Sequence, residues 1–61
     1  FAAMRQAVGL TQKEVADMAG ISIKTYQKYE YNIRPISKAA ADTALLIARA
    51  FGVTVEELLS E

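Results

Sequence analysis

The residues with the most suggestive chemistry cluster between positions 22 and 28. On a helix, which turns about 100° per residue, four side chains of this segment share one arc of about 140°. They are Ile23, Lys24, Gln27 and Lys28. Amines suit phosphate or guanine, an amide suits adenine, and an aliphatic group suits the methyl of thymine. Such a set can recognise a duplex by its base edges and backbone, which is a binding chemistry rather than a catalytic one.

Each member of this set also has an ordinary explanation. The two lysines alone would fit a solvated helix face, and Gln12, further upstream, would be an ordinary first-turn helix residue. Ile23 is more informative, because an isoleucine that faces water does not make a protein more soluble and so suggests a contact. Single exposed isoleucines are nevertheless common. The joint spacing therefore carries the hypothesis. Tyr26 and Tyr29, on the opposite side of the helix, are expected in the core.

Helix start and stop signals indicate the elements that must position this arc. Glycine marks candidate helix ends at Gly9, Gly20 and Gly52. Hydroxyl residues are candidate N-caps at Thr11, Ser22, Ser37 and Thr54. Capping boxes begin at Thr11 and at Thr54, each with Glu three residues later. No strand signal is found, and Pro35 breaks the chain. The pattern predicts five helices, the first ending near Val8 and the others spanning about 12–19, 23–31, 38–50 and 55–60.

The junction between the second and third predicted helices is the most specific of these features. Only Gly20, Ile21 and Ser22 join them, and so short a turn makes two helices cross steeply, as in a helix-turn-helix. Ile21 would fill the angle between the helices, and Ala16 is small where they come closest. We therefore predict an all-α fold, a compact five-helix bundle with a helix-turn-helix, in one domain over residues 1–61.

Composition excludes several classes of function. The 61 residues contain no Cys and no His, which rules out disulfides, Cys/His zinc sites and histidine catalysis. No Gly-rich phosphate loop is present. The acids are expected at cap or surface-like places without a shared site, and they include Glu14, Asp17, Glu30, Asp42, Glu56 and Glu57. We therefore expect no enzyme, no catalytic residue, no cofactor and no metal. Because the chain opens on Phe1 rather than Met, we expect the first helix to be truncated.

The charge is balanced overall but not along the chain. Seven basic and seven acidic residues give a net charge of zero. Residues 1–38 nevertheless carry +3, and residues 39–61 carry −3. Such an asymmetry can create a basic face on a neutral protein. The zero net charge slightly favours the alternative of a protein-interaction module that has kept the fold without binding DNA.

The run from Gln12 to Glu30, QKEVADMAGISIKTYQKYE, resembles the helix-turn-helix of the Xre/Cro/phage-repressor family of bacterial and phage regulators. The resemblance extends to Leu10-Thr11 before the run, and to IARAFGV (47–53) and Leu58-Leu59 after it. Two departures are Tyr26, where the family usually has Val or Ile, and Asn32, where Gly commonly follows the third helix. Asn also tolerates the left-handed conformation.

The resemblance implies sequence-specific binding of double-stranded DNA, with the third helix reading the major groove and a role as a transcriptional repressor. By family position, Ser22, Ile23, Lys24 and Lys28 match base- or backbone-contacting places. Gln12 matches a residue that typically holds a phosphate in the family, and we expect further phosphate contacts from Thr11, Gln27 and Arg34. One recognition helix reads only a few base pairs, so we also expect a homodimer on a near-palindromic operator. We expect no membrane contact and a location in the cytoplasm at the bacterial nucleoid. Within this class, the antitoxin half of a toxin-antitoxin pair remains an alternative.

A second apolar stripe is expected on the fourth helix. Its core stripe should comprise Ala44, Ile47, Ala48 and Phe51. Leu46 is expected on nearly the opposite side, where it could meet a partner subunit or another segment. The alternative is that the alanine-rich helix merely reflects helix propensity.

Overall fold

The helical signals of the sequence become five α-helices in the computed structural model, which describes residues 1–60. The helices span Ala2–Ala7 (α1), Gln12–Ala19 (α2), Ile23–Glu30 (α3), Ala41–Phe51 (α4) and Val55–Leu59 (α5). One turn of 3-10 helix, Ile36–Lys38, lies between α3 and α4. No strand occurs within residues 1–60. The predicted all-α, five-helix fold is confirmed.

Side-chain caps begin α2, α3 and α5 where the sequence predicted them. In the first capping box, the Glu14 amide donates to Thr11 Oγ1 over 3.1 Å, and the Thr11 amide donates to Glu14 Oε1 over 2.8 Å. The box at Thr54 and Glu57 has the same two bonds, each of 3.1 Å. Because a lost cap costs about 1 kcal/mol, these local bonds define the starts of α2 and α5 with little help from the rest of the fold.

The start of α4 differs from the prediction of a helix from about residue 38 with Ser37 as a cap. The 3-10 turn ends first, Ala39 and Ala40 are extended, and α4 begins at Ala41 without a side-chain cap. Ile36 and Ala39, three residues apart, both pack against the core. Tertiary contact therefore holds this turn, and the cap signal at Ser37 is wrong.

The core lies between α2, α3 and α4 and is closed by α5. Its buried members are Val15, Ala16, Ala19, Tyr26, Tyr29, Ile47, Ala48, Phe51 and Leu58. The predicted α4 stripe is confirmed, since all four of its residues are buried. Leu46 was placed wrongly, because it packs against the core. Leu45, about 160° from Ile47 around the helix, is the exposed leucine of α4.

Candidate nucleic-acid interface

The turn between α2 and α3 fixes how α3 is presented. Gly20 has a φ of 69° and a ψ of 29°, a left-handed conformation that favours glycine. A Cβ at this position would meet nothing within 4 Å, so the requirement for glycine is conformational rather than one of space. The Ile21 amide donates to the Ala16 carbonyl over 3.0 Å, and Ile21 is half-buried against the core. These contacts anchor α3 on α2.

The two sides of α3 differ sharply in exposure. Tyr26 is fully buried and Tyr29 is 5% exposed, as predicted. Ile23 is 40% exposed, and Lys24 and Lys28 are also exposed. We call Ile23, Lys24, Gln27 and Lys28 the α3 arc; its fourth member, Gln27, is half-buried. The arc thus projects from the bundle, and its amide residue lies closest to α2.

Hydrogen bonds tie this amide to the start of α2. Gln27 Nε2 donates to Gln12 Oε1 over 3.0 Å. Gln12 Nε2 in turn donates to the carboxylate of Glu30 and, over 3.0 Å, to the hydroxyl of Tyr31. Gln12 lies at the start of α2, as predicted, but its amide is fully engaged within the protein. Sequence reasoning missed Tyr31, a residue that is 57% exposed beside this network.

Glu30 corrects the expectation of a surface-like acid. Its side chain is 2% exposed and forms an ion pair with Arg5, whose Nε lies 2.7 Å from Glu30 Oε1. The Tyr26 hydroxyl donates to the same oxygen over 2.9 Å. The signal was present in the sequence, because Glu30 follows Tyr26 by four residues and so lies only about 40° from it on the helix. An acid on the core side of α3 requires a partner, and Arg5 supplies it from α1.

Burial alone would raise the pKa of the Glu30 carboxyl, but hydrogen bonds from its three partners outweigh that effect and hold this pKa below its ordinary value. Burial and the bond to Glu30 raise the pKa of the Tyr26 hydroxyl. At neutral pH the carboxyl is therefore ionised and the phenol neutral. An ionised carboxylate only accepts hydrogen bonds, which fixes the direction of every bond it makes.

The remaining predicted contact residues flank the α3 arc. Thr11 Oγ1 accepts from the Glu14 amide, so its hydroxyl hydrogen stays available to a ligand. Ser22 caps α3, since its Oγ accepts from the Thr25 amide over 3.2 Å and donates to Thr25 Oγ1 over 2.9 Å. The Ser22 hydroxyl is therefore committed to the helix start.

Arg34 follows α3 in a loop that folds back on that helix. Asn32 takes the left-handed conformation, with a φ of 58°. The amides of Ile33 and Arg34 both donate to the Lys28 carbonyl, over 2.9 and 3.1 Å. The loop therefore keeps the exposed Arg34 close to the end of the α3 arc.

The cations around this face differ in how free they are. Arg5 is paired with Glu30, and Lys13 pairs with Asp17 over 3.0 Å. Lys24, Lys28 and Arg34 have no ion pair with any residue in the range 1–60. Lys38 and Arg49 also lack an ion pair within residues 1–60. Three of these five cations therefore lie along α3 and the loop that follows it, where they could attract a polyanion.

A protein-family model described as helix-turn-helix matches residues 1–58. No curated protein and no solved structure was found to match the chain. Over residues 1–60, none of the helices has the length and hydropathy needed to cross a membrane.

Proposed function

The chain belongs to the Xre/Cro-like helix-turn-helix family of DNA-binding domains, and on this premise we propose that it regulates transcription by reading an operator through the major groove with α3. The observation that carries this proposal is the two-sided character of α3. Its aromatic residues are buried, whereas Ile23, Lys24 and Lys28 are exposed. An α-helix fits the major groove, and α3 presents contact groups there without giving up its core packing.

Phosphate contacts are proposed on both sides of this helix. The Thr11 hydroxyl keeps a free hydrogen, and the first-turn amides of α2 favour an anion. The Tyr31 hydroxyl accepts from Gln12, so its own hydrogen remains free to meet a phosphate. Gln12 would then support the phosphate contact through Tyr31 rather than make it alone. Arg34 supplies a cation beyond the end of α3.

We further propose a homodimer on a near-palindromic operator, acting as a repressor by occupying the promoter. Eight residues make α3 only about 12 Å long, so one domain reads few base pairs. Two copies would place two such helices about one DNA turn apart. A groove of about 410 Å³ runs between the 3-10 turn, α4 and α5, and the exposed Leu45 and Leu59 line it. This groove is the face we assign to the second subunit.

Selection of bound duplexes from a random pool tests DNA reading and half-site spacing together. Lys28→Ala should weaken binding and reduce the slope of log affinity against log salt by about 0.9 per bound domain. Arg49→Ala is the matched control, since Arg49 is an exposed cation on α4. If the domain binds no duplex and no heparin at low salt, the protein-interaction alternative replaces this proposal. Equal effects of Lys28→Ala and Arg49→Ala would remove α3 as the reader.

The subunit contact is tested by sedimentation equilibrium. Leu45→Glu should shift the protein towards monomer, whereas Met18→Glu, at an exposed apolar position on α2, should not. A wild-type protein that stays monomeric both free and on its selected duplex would contradict the dimer. An unchanged dimer in Leu45→Glu would exclude this groove as the contact.

A further inference from the structure

The hydrogen-bond chain from Glu30 to Gln27 has a direction that its chemistry dictates. An ionised carboxylate accepts and never donates. The Gln12 group that faces Glu30 must therefore be the NH₂ group, and the structure places Gln12 Nε2 there. Its two hydrogens go to Glu30 and to the Tyr31 hydroxyl. Gln12 has no hydrogen left to donate elsewhere.

The same logic extends one residue further, to the α3 arc. Because Gln12 Nε2 faces Glu30, its oxygen Oε1 faces Gln27. Gln27 can meet that oxygen only with its own NH₂ group, and Nε2 donates over 3.0 Å. The amide plane of Gln27 is thereby set, with its carbonyl oxygen turned away from Gln12. That oxygen has no hydrogen-bond donor among residues 1–60.

We propose that Glu30, acting through Gln12, fixes the Gln27 amide so that it presents its carbonyl oxygen to the DNA. The fixed Gln27 oxygen then requires a hydrogen-bond donor, which in the major groove means the exocyclic amino group of adenine or cytosine. Gln27 Nε2 keeps one hydrogen that Gln12 does not use, and this hydrogen could meet N7 when the base is adenine. Gln12 and Glu30 act as positioning residues. This inference rests on the proposed function, and it assigns one specificity determinant within it.

A free glutamine would not have this selectivity. A side chain that can rotate its amide by half a turn can place either its oxygen or its NH₂ group towards a base. With the NH₂ group it can donate to O6 or N7 of guanine, or to O4 of thymine. Turning Gln27 over within the folded protein would bring two oxygens, Gln27 Oε1 and Gln12 Oε1, face to face. It would also cost the Gln27–Gln12 bond. The buried Glu30 carboxylate thus sets, through Gln12, which group of the half-buried Gln27 amide remains for a base.

Duplex selection with three variants tests the assignment. Gln27→Ala should lose the base preference at one position of each half-site, which identifies the base that Gln27 reads. Gln12→Met releases the Gln27 amide without removing Glu30 or Arg5, and should relax the preference at that same position alone. Tyr31→Phe is the matched control. It removes one acceptor of Gln12 and the proposed phosphate contact of Tyr31, so overall affinity should fall. Glu30 stays in place, so the base preference at that position should persist.

A chemical substitution in the DNA completes the test. Gln27→Ala identifies the base that Gln27 reads, and that base is then replaced by an analogue that lacks only the exocyclic amino group. The analogue is unsubstituted purine if the base is adenine, and 2-pyrimidinone if it is cytosine. Because a single hydrogen bond is lost, wild-type affinity should fall roughly 2- to 13-fold, and the affinity of Gln27→Ala should hardly change. Equal wild-type binding to both duplexes overturns the proposal, as does an unchanged preference in Gln12→Met or in Gln27→Ala. Failure of the wild-type protein to select any duplex is a different result, which refutes the proposed function itself.

Discussion

Replacing Arg5 by Met should destabilise the domain far more than its position on the short helix α1 suggests. Methionine keeps most of the aliphatic stem but removes the guanidinium that lies 2.7 Å from Glu30. The Glu30 side chain, only 2% exposed, would keep its charge with two neutral donors, Tyr26 and Gln12. Removing one partner of a buried ion pair costs about 3–5 kcal/mol.

The geometry supports a loss of this size. Two unit charges 2.7 Å apart attract by about 6 kcal/mol at an effective dielectric constant near 20. The cost of burying the carboxylate offsets part of this attraction. A domain of 61 residues has a total stability of only about 3–9 kcal/mol. Arg5→Met should therefore lose a large part of the stability of the domain at neutral pH.

Glu30→Gln should be milder, at about 1–3 kcal/mol. The Arg5 side chain is 15% exposed and also donates from Nη1 to the Leu10 carbonyl over 2.9 Å. Its charge can therefore reach water when the carboxylate is gone, and it keeps one internal bond. In Arg5→Met, by contrast, the buried Glu30 carboxylate cannot reach water to compensate for the lost cation.

Urea unfolding followed by far-UV circular dichroism measures both losses, and its pH dependence tests the cause. The pKa of Glu30 is lowered in the folded wild type, so the bridge contributes stability above the unfolded pKa of about 4.5 and loses it as the pH falls through the folded value. In Arg5→Met the Glu30 carboxyl has no cation beside it and should protonate more easily. The difference in free energy of unfolding between this variant and the wild type should therefore shrink as the pH is lowered from neutral to about 4. Equal losses in the two variants, or a deficit that does not change with pH, would refute the reasoning.

Four smaller predictions follow from the same contacts. Thr11→Ala should cost about 1 kcal/mol in urea unfolding, because it removes the cap of α2. Gly20→Ala should cost about 1–2 kcal/mol, because its φ is 69°; Gly20→Asn should cost less, and equal costs would contradict the conformational explanation. Tyr26→Phe should cost about 1–3 kcal/mol, because it removes a buried hydrogen bond to Glu30. The pKa of Tyr26 is raised in the folded protein, so wild-type stability should fall as the pH rises above about 10, and Tyr26→Phe should not show this fall. Ile23→Ala should change the selected duplex sequence more than the affinity for random duplex, and the reverse pattern would place Ile23 outside the base contacts.

Local features of this chain were predictable because their causes lie within one helical turn. Each capping box joins residues three apart, such as Thr11 and Glu14. The helical period separated Tyr26 and Tyr29 from the exposed Lys24 and Lys28. The all-α class, the turn at Gly20 and the membership in a DNA-binding family therefore followed from the sequence.

Other features depended on contacts that no short window contains. The burial of Glu30 rests on Arg5, 25 residues away, and the orientation of Gln27 rests on Gln12, 15 residues away. Likewise, the turn before α4 follows the packing of Ile36 and Ala39 rather than the cap signal at Ser37.

The residue types of α3 and their helical spacing were enough to predict which side chains face away from the core. Helix formation and amphipathicity depend on residues close together in the sequence. The tertiary structure decided which polar groups are free to make contacts. A buried charge must find its partners wherever the fold brings them, and each bond it makes removes one donor or acceptor from the surface.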